Sequence, residues 1–173
     1  ISTYCELWKL KVNCRKTVYT IFTLSPTVSK AKLQLQVQGQ NIEKEETPTY
    51  LGVRLDSRLT FKDHFDDITS KVSKRFNLLK RLASTNWGTN KKTLRQLYTG
   101  YVRAVFDYSA PLQVTASKYN KSKLDRKQNE ALRFVCGGLR STPNSACEID
   151  ANIEPLNNRR ERIAALTLSL IHI

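Results

Sequence analysis

Over residues 32–38 and 50–56 the apolar side chains of this chain recur at every second position, and beyond Thr60 they recur at every third or fourth. Alternation lines one face of a strand, whereas spacings of three and four line one face of a helix. A chain carrying the two patterns in succession reads as α+β, with a small, mostly antiparallel sheet followed by an all-helical bundle. The switch falls near Ser57 and Arg58 and sets the expected boundary between the two parts.

Within the first part, residues 17–23 are β-branched and aromatic and read as a strand closed by Ser25 and Pro26. Residues 32–38 alternate strictly, with Leu33, Leu35 and Val37 on one face, and then turn through Gly39. Residues 42–46 read as a short charged edge, and residues 50–56 alternate once more. Before all of these, Ile1, Tyr4, Cys5 and Trp8 recur at helical spacing, and the chain does not begin with Met, so a fragment is expected.

In the second part, Thr60 and Asp63 have the form of a capping box ahead of a helix that turns Phe61, Phe65, Ile68, Val72, Phe76 and Leu79 inward and runs to about Ala83. Trp87 and Gly88 break it. Thr89 or Asn90 caps a second helix carrying Leu94, Leu97, Tyr98, Tyr101, Val102, Val105 and Phe106 to about residues 108–111. A third helix covers residues 118–136, with Leu124, Ala131, Leu132 and Val135 inward and Gly137 as its stop. Pro143 opens a short fourth helix, and a fifth, rich in arginine at its start, follows Pro155.

The net charge is +14, with 29 Lys and Arg against 15 Asp and Glu, and its distribution says more than its total. No acid lies between residues 68 and 106, where Lys71, Lys74, Arg75, Lys80, Arg81, Lys91, Lys92, Arg95 and Arg103 all fall. A polyanion that neutralises such a stretch releases counterions, so nucleic acid is the leading partner class. An anionic membrane is the weaker rival, because no lipidation signal is visible and no apolar run approaches the roughly 20 residues of a membrane span. Cys5, Cys14, Cys136 and Cys147 match no zinc spacing and read as reduced thiols of a soluble intracellular protein.

Hydrolytic chemistry finds little support. His64 and His172 are the only histidines, and neither sits in a nucleophile elbow or a His-Glu-x-x-His helix. Asp66 and Asp67 have the look of a carboxylate pair for magnesium, but they follow Asp63 in the acidic first turns of a helix and read as structural. No metal site is expected in the chain. Tyr98 and Tyr101, which could stack on a base, read as core on the face of Leu94, Leu97 and Val105.

The segment Trp8-Lys9-Leu10-Lys11-Val12-Asn13-Cys14-Arg15-Lys16-Thr17, followed by a strand, resembles the stretch after the catalytic strand of reverse transcriptases from non-LTR retrotransposons of the jockey-like kind. Thr49-Tyr50-Leu51-Gly52-Val53-Arg54-Leu55-Asp56 is similar to the family's element leading from the primer-grip hairpin into the thumb. A third likeness spans Leu124, Asp125, Gln128, Ala131 to Arg133 and Cys136 to Gly138, and Pro155-Leu156 with Arg159-Arg160 continues it.

The resemblance implies residues 1–58 as the end of a palm with a primer-grip-like hairpin, 59–115 as thumb helices and 116–167 as a helical region beyond the thumb. It implies an RNA-directed DNA polymerase whose palm aspartates lie upstream of Ile1. The segment alone is therefore expected to be inactive and to bind no metal, with Mg2+ belonging to the parent enzyme. Lys16 maps to the family's motif D lysine, with general-acid or phosphate-contact duty toward an incoming deoxynucleotide, and Arg15 assists it. Tyr50 and Gly52 would approach the primer end. Lys71, Lys74, Arg75, Arg81, Lys91, Lys92 and Arg95 would track phosphates of an RNA template paired to a DNA primer, with target DNA as a further partner and no membrane. The same likeness implies work in the nucleus after assembly in the cytoplasm, and it leaves the oligomeric state open. The alternative is a non-catalytic basic RNA-binding module. Residues 168–173 resemble a translated library adapter, a scar to be set aside from fold reasoning.

Overall fold

The computed structural model describes residues 2–83 and 88–171. Trp87, the expected helix breaker, and the last two residues of the suspected adapter lie outside them. The chain is α+β and divides into two compact units, the first ending at His64 and the second beginning at Phe65.

In the first unit, α1 (Ser2–Leu7) is followed by a 3-10 turn (Cys14–Lys16) and by α2 (Pro26–Ser29), with Pro26 in the first turn where its missing N–H is no loss. The expected single sheet is replaced by three two-residue ladders. β1 (Val18–Tyr19) pairs with β4 (Glu43–Lys44) in parallel, β2 (Gln36–Val37) with β3 (Gln40–Asn41) antiparallel, and β5 (Thr49–Tyr50) with β6 (Val53–Arg54) antiparallel.

The predicted strand over residues 32–38 shortens to β2, and side chains satisfy backbone groups just ahead of it. The Tyr19 hydroxyl accepts from the Leu33 N–H at 2.8 Å and donates to the Leu33 carbonyl at 2.9 Å, and Lys44 Nζ donates to the carbonyls of Ala31, at 2.9 Å, and Ser29. The Leu33 backbone and the carbonyls of Ser29 and Ala31 are thus satisfied without a partner strand.

Alternation also misreads residues 50–56. Leu51 (φ 47°) and Gly52 (φ 77°) both lie in the left-handed region, which closes a two-residue hairpin between β5 and β6. Leu51 is 73% exposed at the hairpin tip.

The predicted capping box is not formed. Phe61 has φ 56° and precedes α3 (Lys62–Leu82) instead of joining its apolar face. The turn is organised from upstream: the Asp56 carboxylate accepts from the Thr60 N–H and hydroxyl, both at 3.0 Å, and from the Phe61 N–H at 2.6 Å. Burial pulls this carboxyl upward, but those hydrogen bonds outweigh it and hold Asp56 below its ordinary value.

In the second unit α3 buries Phe65, Ile68, Val72, Phe76 and Leu79 as its periodicity requires. Asn90 caps α4 (Lys91–Leu97), its side chain accepting from the Thr93 N–H at 2.9 Å. The predicted second helix does not continue as α: Tyr98–Val102 form a π turn, α5 (Arg103–Tyr108) follows, and α6 (Ala110–Thr115) starts on Pro111 as a helix the periodicity missed.

The π turn has a geometric reason. Leu94, Tyr98, Val102 and Phe106 are all buried and four residues apart, and in a pure α-helix each such step drifts by about 40°. One wider turn, at Gly100 and beside the Thr99 hydroxyl that donates to the Arg95 carbonyl at 3.0 Å, absorbs the drift.

α7 (Lys118–Cys136) is stopped by Gly137 at φ 68° and buries Leu124, Ala131, Leu132 and Val135, as the sequence predicts, and the Ser117 side chain caps its start. Pro143 immediately precedes α8 (Asn144–Ala151), where its ring sits at the cap position and not at the first helical one. α9 (Leu156–Ile171) follows Pro155 and packs on α6, while α8 packs on α7. Among the described residues no helix is long and apolar enough to cross a membrane.

Candidate nucleic-acid interface

The acid-free stretch is not acid-free in space. Lys71 pairs with Asp67 one turn away at 2.9 Å, Lys80 with Glu130 of α7 at 3.1 Å, and Lys91 with Asp150 of α8. Arg95 donates to the Asn152 carbonyl at 3.1 Å, and Arg103, only 6% exposed, donates to the Glu154 carbonyl at 3.1 Å. Burial, with the Arg159 charge adding to it, draws Arg103 below the ordinary arginine value. Arg75 donates to the Tyr101 carbonyl at 2.5 Å and lies 4.6 Å above the Tyr101 ring.

Of the predicted phosphate trackers, Lys74, Arg81 and Lys92 are exposed and make no ion pair among the described residues. Lys71, Lys74, Arg81 and the half-exposed Leu78 and Leu82 share the face of α3 opposite its core stripe. The structure therefore divides seven candidates into three unpaired cations, Lys71 in a solvated pair, and Arg75, Lys91 and Arg95 tied to other elements of the bundle.

The aromatic candidates separate as well. Tyr98 is core, its hydroxyl donating to Gln128 Oε1 at 3.2 Å, and burial raises it well above the usual tyrosine range. Tyr101 is 43% exposed beneath the Arg75 guanidinium and is not a core residue. Asp66 forms an ion pair with Lys123 and Asp67 with Lys71, so each has a lysine partner.

In the first unit the predicted contacts are all at the surface. Tyr50 is 67% exposed beside Gly52 at the hairpin tip. Arg15 and Lys16 are both exposed on the 3-10 turn, but they do not share a groove. One groove of about 420 Å³ is lined by Lys11, Val12, Asn13, Cys14, Arg15, Gln38 and Gln40. A second, of about 270 Å³, shares Cys14, Arg15 and Gln40 and adds Thr17, Val18, Asn41 and Glu43. Arg15 borders both, and Lys16 lines neither.

The turn that carries Arg15 is fixed by backbone bonds from Lys16 and Thr17 to Asn13 and Cys14, and the Cys14 thiol donates to the Val37 carbonyl at 3.5 Å. Sequence reasoning singled out Arg15 but passed over Lys11, Asn13, Gln38 and Gln40. The signal for the last two was the run of glutamines on the polar side of an alternating strand.

Comparison with known proteins supports the resemblance read from the sequence. The chain is 29% identical over 135 residues, 78% of its length, to a probable RNA-directed DNA polymerase from transposon BS of Drosophila melanogaster. It is 26% identical over 168 residues, 88% of its length, to a retrovirus-related Pol polyprotein from the type-1 retrotransposable element R1 4 of Nasonia vitripennis. A probable RNA-directed DNA polymerase from transposon X-element of Drosophila melanogaster matches at 25% over 140 residues, 79% of the chain. Over most of its length the chain is similar to the reverse transcriptases of non-LTR retrotransposons. It spans 15%, 43% and 15% of the length of these three relatives. No family model and no solved structure matches it.

The helical unit offers exposed, unpaired cations on α3 and on α4, and the smaller unit offers an exposed hairpin tip and two grooves around Arg15. The large share of its arginines is structural. Arg159 grips Asp107 with two hydrogen bonds of 2.9 and 2.7 Å, Arg162 grips Glu154 at 3.3 and 2.8 Å, and the buried Arg160 pairs with Asp125.

Proposed function

We propose that this chain is the part of an RNA-directed DNA polymerase that holds the RNA template paired to its DNA primer, without supplying the catalytic carboxylates. The observation that carries the reading is the set of exposed, unpaired cations Lys74 and Arg81 on α3 and Lys92 on α4, in a chain similar to RNA-directed DNA polymerases of transposons. Phosphate contacts of this kind ignore base identity, as a polymerase that moves along any sequence requires. Lys71 adds a charge that can exchange Asp67 for a phosphate at little cost, because the pair is solvated.

In the whole enzyme Mg2+ would supply charge neutralisation for phosphoryl transfer. The residues of this chain do not fit such a site: Asp66 and Asp67, its one adjacent aspartate pair, each face a lysine. No polymerisation step is assigned to them. Lys16 belongs to the same proposal as a contact for the phosphates of a deoxynucleotide, and Tyr50 and Gly52 as neighbours of the primer end; Arg15, which shares no groove with Lys16, is not joined to that contact.

The test is a binding isotherm of the whole chain with a labelled RNA/DNA hybrid, repeated across salt concentrations, beside a primer-extension assay. The expected outcome is binding with a steep negative salt slope and no extension. Salt-insensitive binding of one RNA hairpin in preference to the hybrid would replace this reading with the non-catalytic RNA-binding module.

A further inference from the structure

The groove beside Arg15 has a composition that phosphate tracking does not use. Its lining carries two cations, Lys11 and Arg15, three carboxamides, Asn13, Gln38 and Gln40, and no carboxylate. All five of those side chains are exposed, and none has an intramolecular hydrogen-bond partner among the described residues. A surface held apart for solubility alone would intersperse acids with its bases.

A carboxamide presents one acceptor and two donors in a plane, the same alternation that the edge of a nucleobase presents. A guanidinium presents a planar fork that matches phosphate. The groove volume of about 420 Å³ lies in the range of small-molecule sites.

The walls are rigid where it matters. One is the 3-10 turn, whose Thr17 hydroxyl donates to the Asn13 carbonyl at 2.9 Å. The other is the tip of the β2–β3 hairpin, where Gln38 (φ 51°) and Gly39 (φ 74°) form the two-residue turn. The Cys14 thiol, donating to the Val37 carbonyl, ties the two walls together.

We infer that this groove seats one unpaired nucleotide of a nucleic-acid strand, with Arg15 and Lys11 on its phosphate and the amides of Asn13, Gln38 and Gln40 on the edge of its base. The site deepens the nucleic-acid reading proposed above and rests on it. In a duplex the base edges are engaged by the complementary strand, so the groove selects single-stranded over paired substrate.

The test uses the whole chain, an oligo-uridine and an oligo-thymidine dodecamer, and a blunt RNA/DNA hybrid of the same length, each labelled for anisotropy. Arg15→Gln and the pair Asn13→Leu with Gln40→Leu are each expected to weaken single-strand binding about tenfold and to leave hybrid binding within about twofold. All three positions are exposed, and matching far-ultraviolet spectra and melting temperatures establish that the variants fold. Comparable losses on both dodecamers make the strand's sugar irrelevant, and a loss on the RNA alone assigns the groove to RNA.

Unchanged single-strand binding in the variants, with hybrid binding intact, overturns the groove and leaves the proposed function standing. Failure of the unaltered chain to bind any of the three overturns both. Displacement of the dodecamers by free thymidine triphosphate at equal phosphate concentration assigns the groove to a free nucleotide and overturns the strand reading.

Discussion

Of the seven predicted phosphate contacts in the helical unit, three are unpaired and three others are tied to other elements of the fold, which makes the salt dependence of binding a test of the geometry. The perturbation is Lys74→Gln, Arg81→Gln and Lys92→Gln combined, against a control combining Lys80→Gln and Lys91→Gln, whose lysines pair with Glu130 and Asp150. Each phosphate neutralised contributes about −0.9 to the slope of log K against log salt, so loss of three contacts flattens the slope by about 2.7. Over a fourfold rise in salt that difference amounts to about a 40-fold change in relative affinity.

The control removes two solvated pairs, each worth at most about 1 kcal/mol of stability, and leaves the slope nearly unchanged. Fluorescence anisotropy of a labelled hybrid, titrated at several salt concentrations, measures both slopes. If the control flattens the slope as much as the triple variant, ion pairing inside the fold does not withdraw those lysines from binding, and the division of cations argued here is wrong.

Other consequences are equally concrete. Asp56 is held below its ordinary value, so the stability it contributes is present above the unfolded value near 3.9 and is lost as pH falls through the lower folded value; Asp56→Asn flattens that acid limb in urea titrations at successive pH values. Burial, with Asp150 adding, pushes the Cys136 thiol up to about 11, so site-resolved alkylation at Cys136 stays slow at pH 8 and rises only toward that value; a midpoint near 8.5 would contradict it. A double-mutant cycle on Asp107→Asn and Arg159→Gln returns a coupling of about 1.5 kcal/mol in chemical denaturation, and a coupling near zero would demote the two-bond contact to a surface pair. Leu79→Ala, at a fully packed position of α3, costs about 3 kcal/mol, read in the same way.

What the sequence revealed and what it hid follow from the range of the interactions. Asn90, Ser117, Gly137 and Pro155 act on neighbours within a turn, and the helix ends they mark are where the residues alone place them. The partners of the basic stretch lie far away in sequence: Glu130 answers Lys80, Asp150 answers Lys91 and Glu154 answers Arg103. A scan for charge segregation along the chain cannot register them, and so it overstates the free basic surface. The parallel β1–β4 pairing is hidden for the same reason, since its register depends on Val18 meeting Glu43 across more than twenty residues. Around Arg15, local pattern identified the cation, while the amides reach it only because a second hairpin folds beside the turn.

The π turn at Tyr98–Val102 makes chain length itself a structural variable in the second unit. Deleting Gly100 would let the turn close to an ordinary α-helix with its hydrogen-bond ladder intact, so the backbone would register almost no defect. Because a π turn spans about one residue more than an α turn, the residues after the deletion would keep their orientation about the helix axis. Arg103 would still face Glu154 and Asp107 would still face Arg159, so the contacts that anchor α5 to the chain around α9 would survive the loss. A relative with a one-residue gap at this position can therefore keep both ion pairs, whereas a gap one turn away, in ordinary α-helix, would part them together.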